Sequence, residues 1–132
     1  MSNVRLGILG YGNLGKGVEL AARQSADIDL VAVYSRRNPE SVQVATEGLA
    51  VKPAEALEGG DEPIDVLVLC GGSATDLPEQ TPHYAALYNV VDSFDTHANI
   101  PRHFDAVDTA ARAAGKRRAY SMGGLDAFGH IN

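Results

Sequence analysis

The feature that most constrains this chain is Gly10-Tyr11-Gly12-Asn13-Leu14-Gly15, a G-x-G-x-x-G run directly after the short segment Val4-Arg5-Leu6-Gly7-Ile8-Leu9. That segment is mostly apolar without alternation, the pattern of a strand covered on both faces in a parallel sheet. After the glycines, Leu14, Val18, Ala21 and Ala22 recur at helical spacing and predict a helix from Leu14 to about Arg23 with one apolar face. Leu30-Val31-Ala32-Val33-Tyr34 reads as a second buried strand, completing a strand-helix-strand unit of about 30 residues with a right-handed crossover. A bare G-x-G-x-x-G occurs often by chance. Between a strand and a helix in such a unit, it points to a dinucleotide-binding turn.

Each glycine has its own expected task. Gly10 permits the tight turn, Gly12 lets a pyrophosphate approach the backbone, and Gly15 lets the helix pack closely on the strand. The helix start adds free N–H groups and a partial positive charge. The competing reading is a turn-and-packing role alone.

The end of the second strand decides between the two nicotinamide cofactors, because an acid there binds the ribose 2′-hydroxyl and repels a 2′-phosphate. Here the sequence is Ser35-Arg36-Arg37, a hydroxyl and two guanidinium groups. Guanidinium grips phosphate through paired, charge-assisted hydrogen bonds. The formal net charge is −6, so two adjacent arginines at this point stand out and favour NADP over NAD; a solvated basic loop is the alternative.

Further along, Ser35 to Glu62 is interrupted by Pro39, Gly48, Pro53, Gly59 and Gly60 and is expected to be mostly irregular, with a helical turn at Pro53 to Leu57. Ile64 to Cys70 is the strongest strand. Helices are predicted at Pro78 to Tyr88 and Pro101 to Ala114, and strands at Asn89 to Ser93 and Arg118 to Ser121. The alternation argues for an α/β fold, a doubly wound, Rossmann-type, mostly parallel sheet with helices on both faces. At 132 residues with 45% hydrophobic side chains, one dinucleotide-binding domain spanning the whole chain is expected.

The carboxyl edge of such a sheet binds ligands. Gly71-Gly72-Ser73-Ala74-Thr75-Asp76 follows the strongest strand, beside the expected nicotinamide, and Ser73, Thr75 or Asp76 could also cap the next helix. Asp92-Ser93-Phe94-Asp95-Thr96-His97 follows a later strand and brings carboxylates and an imidazole to the same edge, where Asp95 could hold an ammonium group or handle protons. Asp92 could equally satisfy backbone at the strand end. Cys70, the one cysteine, reads as a small core residue rather than a nucleophile and cannot form an internal disulfide. His83, His103 and His130 show no metal-ligand spacing, so no metal is expected.

Partners are bounded by charge and hydropathy. An acidic chain is a poor partner for nucleic acid, and no apolar run approaches the roughly 20 residues of a membrane span. The N-terminus lacks signal-peptide features, which makes a cytoplasmic location the expectation.

Taken in order, Gly10 to Gly15, Ser35-Arg36-Arg37, Gly72-Ser73-Ala74-Thr75-Asp76 with Pro78-Glu79-Gln80, Val91-Asp92 with Asp95 and His97, and Ile100-Pro101-Arg102-His103 resemble the N-terminal domain of meso-diaminopimelate dehydrogenase. The resemblance runs from about Asn3 to Tyr120. It implies reversible NADP-dependent oxidative deamination of meso-2,6-diaminopimelate to L-2-amino-6-oxopimelate and ammonia, a step connected to lysine biosynthesis. It further implies cofactor binding by Gly10, Tyr11, Gly12, Asn13, Leu14, Gly15, Ser35, Arg36 and Arg37, and by Cys70, Gly72, Ser73, Ala74 and Thr75. Asp95 would face the reacting amino group. Where the family has Ser-Thr-Gly-Trp-Asp-Pro-Gly, this chain has Ser121-Met122-Gly123-Gly124-Leu125-Asp126-Ala127, without tryptophan, so Asp126 matches the family's aspartate with a one-residue offset. The family's substrate-binding and dimerisation domain begins about where this chain ends, which leaves a homodimer among the expected partners. Two other readings are an NADP(H)-binding module without catalysis, truncated or engineered, and a cofactor-linked interaction domain.

Overall fold

The computed structural model describes residues 3–59, 63–71, 76–92, 100–113 and 119–121. Packing falls into two compact units, Met1–Cys70 and Gly71–Asn132.

The first unit begins with β1 (Val4–Leu9), α1 (Asn13–Arg23) and β2 (Ile28–Ser35), followed by β3 (Ala50–Pro53) and β4 (Val66–Leu69). β1 pairs with β2 on one side and β4 on the other, and β2 pairs with β3, all parallel, giving the order β3-β2-β1-β4. The chain therefore winds outward from β1 in one direction and returns to its opposite side with β4. Such a reversal leaves a crevice at the carboxyl ends of β1 and β4, the usual ligand position in open parallel sheets. The pairing of β1 with β2 skips one residue between Leu6 and Gly7, leaving Val31 as the extra residue.

Both sheet faces are apolar, as a parallel sheet requires. Leu6 and Ile8 of β1 and Val33 of β2 pack with Ala22 of α1, joined by Val66 and Val68. The alternate residues Leu9, Tyr34, Leu67 and Leu69 are also buried.

Two expectations need correcting. Ala50–Pro53 is a strand, whereas that stretch was expected to be irregular; its order comes from pairing with Ala32 to Ser35 of β2 rather than from its own pattern. Pro53 ends it, which an edge position tolerates. The buried side of α1 is formed by Gly15, Glu19 and Ala22, while Leu14 and Ala21, assigned to the apolar face, are exposed. A glutamate on the inner row displaced the apparent stripe.

In the second unit, α2 (Leu77–Ala85) packs on α3 (Ile100–Ala113) and on β5 (Val90–Asp92), which pairs in parallel with β6 (Ala119–Ser121). Leu77, Tyr84, Ala85, Val90 and Val107 are buried there. The alternation of strand and helix expected from the sequence is present, and the protein has an α/β, Rossmann-type parallel architecture.

Candidate functional site

The site grows from the turn between β1 and α1. Gly10 has φ +97°, in the region that favours glycine, and its N–H donates to the Tyr34 carbonyl at 2.9 Å, tying the turn to β2. Gly15 lies under that turn: a Cβ there would stand 2.2 Å from the Gly10 carbonyl oxygen. Gly12 differs, because a Cβ on it would meet nothing within 4 Å. Packing therefore demands glycine at position 15, whereas position 12 faces open space.

Gly12 is the N-cap of helix α1, and the Lys16 N–H donates to its carbonyl at 3.0 Å as the first turn closes. The N–H groups of Asn13, Leu14 and Gly15 precede that bond and have no intrahelical acceptor. The first turn contains no acidic side chain. Asn13 and Leu14 are exposed. A helix start with exposed donors and no competing carboxylate is an anion site in electrostatic terms.

The Ser35-Arg36-Arg37 segment lies at the end of β2, next to this turn. Ser35 is buried, and its hydroxyl oxygen accepts from the Arg37 N–H at 3.0 Å, so it shapes the loop from inside. Both arginines are exposed. Arg37 reaches back to the turn, and its Nη2 donates to the Tyr11 carbonyl oxygen at 2.9 Å. The glycine turn and the basic loop are thus bonded to each other. The structure joins the two motifs that the sequence presents 20-odd residues apart.

Behind the turn is a group that sequence reasoning missed. Glu19 is completely buried, accepting from the Tyr11 hydroxyl, the Ala45 N–H at 3.2 Å and the Thr46 N–H at 2.7 Å. Burial by itself raises its pKa, but the donors from Thr46, Tyr11 and Ala45 outweigh it and hold the carboxyl below the ordinary glutamate range. Burial, and then the Glu19 contact, pushes the Tyr11 phenol above its ordinary value. The available signal was Glu19 completing an i, i+4, i+7 row with Gly15 and Ala22.

Cys70 follows β4, with its N–H on the Leu9 carbonyl at 2.8 Å. Burial pushes its thiol up to about 12, which suits a core residue and not a nucleophile. Beyond it, a Cβ on Gly71 would lie 2.8 Å from the Asp76 Cβ. Asp76 stands at the N-cap of α2 but makes no side-chain capping bond; its carbonyl accepts from the Glu79 and Gln80 N–H groups. Asp92 is buried at the end of β5. Gly72, Ser73, Ala74, Thr75, Asp95, His97 and Asp126 lie outside the described residues. Among the described residues, no cluster of His, Cys, Asp or Glu could hold a metal, and no helix is long and apolar enough to cross a membrane.

No family model matches the chain. It is 55% identical over 123 residues to the meso-diaminopimelate D-dehydrogenase of Lysinibacillus sphaericus, covering 93% of this chain and 37% of that protein. The enzyme of the same name from Corynebacterium glutamicum is 42% identical over the same shares of each chain. The chain thus spans little more than a third of the length of these relatives. Among solved structures, an engineered D-amino acid dehydrogenase bound to NADP+ superposes with a TM-score of 0.77 at 42% identity, covering 86% of this chain and 34% of that one. A Corynebacterium glutamicum DAP dehydrogenase in complex with DAP gives 0.77 at 43% identity, covering 87% and 34%. A D-galactose-1-dehydrogenase from Rhizobium etli, with a TM-score of 0.67 at 20% identity over 89% of this chain and 37% of that one, shares the fold.

Proposed function

The chain is homologous over nearly its whole length to the N-terminal part of the meso-diaminopimelate dehydrogenases, and from that premise we propose that it binds NADP(H) for an amino-acid dehydrogenase of that specificity. The observation that carries the reading is the bond from Arg37 Nη2 to the Tyr11 carbonyl, which sets a phosphate-seeking cation beside a turn suited to pyrophosphate. The cradle fits such a ligand. Gly12 opens onto space that a side chain would occupy, and no acid in the first turn of α1 opposes an anion.

In this reading Gly10, Tyr11, Gly12, Asn13, Leu14 and Gly15 hold the pyrophosphate on backbone N–H groups and the helix start. Arg36 and Arg37 hold the 2′-phosphate, with Ser35 fixing their loop from below. Cys70 backs the crevice from the end of β4, and Gly72, Ser73, Ala74 and Thr75 border the nicotinamide. Asp95 receives the amino group of meso-2,6-diaminopimelate, with Asp126 as a second contact. Bound NADP+ would supply the hydride acceptor for oxidation at the D-configured α-carbon, the overall reaction with water giving L-2-amino-6-oxopimelate, ammonia, NADPH and a proton. The protein's part is orientation and electrostatics. A cytoplasmic setting, a place in lysine biosynthesis and assembly as a homodimer go with this reading and rest on the family resemblance.

Titrating NADPH and NADH into the purified chain by fluorescence or calorimetry tests the proposal. NADPH is expected to bind at least about tenfold more tightly, the scale of one charge-assisted hydrogen bond. Equal affinities would overturn the NADP assignment, and binding of neither would overturn the nucleotide reading. Reduction of NADP+ by meso-2,6-diaminopimelate, followed by absorbance, then tests the substrate assignment.

A further inference from the structure

An ionised carboxylate buried in a helix-sheet interface costs several kcal/mol unless donors surround it, and an apolar side chain of similar volume would fill the space without that cost. Glu19 is such a carboxylate, and its contacts run toward the nucleotide site. It accepts from the Tyr11 hydroxyl on one side and from the Ala45 and Thr46 N–H groups on the other. Tyr11 belongs to the glycine turn, with its ring almost wholly buried. The Tyr11 carbonyl, in turn, receives Arg37 Nη2 at 2.9 Å, and the Arg37 N–H rests on Ser35 Oγ at 3.0 Å. The result is a continuous series of hydrogen bonds from the 45–46 loop through Glu19 and Tyr11 to Arg37.

We infer that Glu19 is a positioning residue for cofactor specificity: by anchoring the Tyr11 side chain it fixes the peptide whose carbonyl aims the Arg37 guanidinium at a 2′-phosphate. The inference rests on the proposed NADP(H) reading and goes beyond it, since Glu19 itself touches no cofactor. The rest of the pyrophosphate cradle, by contrast, is held by backbone: the Gly10 N–H donates to the Tyr34 carbonyl, and Gly15 packs under the Gly10 carbonyl at the start of α1. Loss of the carboxylate should therefore act selectively on the phosphorylated ribose.

The test compares NADPH and NADH affinities for Glu19→Gln, Tyr11→Phe and Arg37→Ala, with thermal unfolding measured alongside. Glu19→Gln and Tyr11→Phe are each expected to weaken NADPH binding about tenfold while NADH changes less than about threefold. Adding Glu19→Gln to Arg37→Ala should leave the remaining NADPH preference unchanged, because residues acting in series do not add. An equal loss for both cofactors, or an unchanged ratio, in the variants that fold would overturn the inference; Tyr11→Phe, which keeps the ring, supplies that result if Glu19→Gln does not fold. A wild-type chain that binds neither nucleotide, or both alike, would instead overturn the NADP(H) reading itself.

Discussion

The Gly15 α-carbon lies so close under the Gly10 carbonyl that a Cβ at position 15 would stand 2.2 Å from its oxygen, with backbone as the obstructing atom. Helix α1 and the β1–α1 turn touch through glycine because no side chain fits between them. Gly15→Ala must push the helix start away from the turn, and overpacking against backbone costs at least about 1–3 kcal/mol. Gly12→Ala meets nothing within 4 Å and adopts a backbone of φ −99°, open to any residue. Its stability should stay within about 1 kcal/mol of wild type, while its new methyl group lowers NADPH affinity by at least about tenfold. Chemical denaturation of both variants, with nucleotide titration of Gly12→Ala, checks the contrast. A Gly12→Ala protein that binds normally would show that the open face at position 12 holds no ligand.

Arg36 and Arg37 are exposed at the end of β2, and Arg37 already spends one donor on Tyr11. A guanidinium has five N–H donors, so that bond leaves a fork for phosphate. With each charge-assisted contact contributing about 1.5–3 kcal/mol, Arg36→Ala combined with Arg37→Ala should weaken NADPH binding by more than about thirtyfold and NADH by less than about threefold. Equal losses by calorimetry would sink the phosphate assignment.

How legible was all this beforehand? Strand β1 has the bounds its residues predict, because a mostly apolar run closed by Gly10, with its last four residues buried, has few other ways to pack. The glycine turn was equally legible at Gly10 and Gly15, which answer a positive φ and a close backbone contact, whereas nothing in the chain itself crowds Gly12. Strand β3 was not: Ala50-Val51-Lys52-Pro53 carries no period of its own, and a partner strand some 18 residues earlier supplies its order. Glu19 was hidden for a related reason. A glutamate on a helix ordinarily faces water, and only the Tyr11 hydroxyl and the 45–46 backbone, brought in by the tertiary fold, make its inward position tolerable.

Cys70 gives a chemical probe of that interior. Its thiol is pushed up to about 12 by burial, so almost none is thiolate near neutral pH, and the thiolate is the reacting form. A disulfide reagent should modify it at least about a hundredfold more slowly in the folded chain than in urea, given the shift in pKa. Modification at the same rate with and without urea would show that the end of β4 is open to solvent.

Stability at acid pH follows from Glu19. Its folded pKa lies below its ordinary value of 4.5, so its stabilisation is fully present above that value and is lost as pH falls through the folded pKa. The groups facing it are the Tyr11 phenol, whose raised pKa keeps it protonated throughout, and the Ala45 and Thr46 N–H groups; Arg23 of α1 donates to the Ala45 carbonyl at 3.5 Å. Asp65 is also held low, first by its hydrogen bond from the Arg5 side chain, and adds an acid-sensitive component of the same sign at the exposed start of the sheet. Glu19→Gln separates the two. Near neutral pH it should cost about 1–3 kcal/mol, and the gap to wild type should shrink steadily below 4.5, as the unfolded chain takes up the proton first and the native carboxylate only at its lower folded pKa. Denaturant midpoints for both proteins across that range decide the matter, and a gap that stays constant down to about pH 3 would mean that folding does not lower the Glu19 pKa.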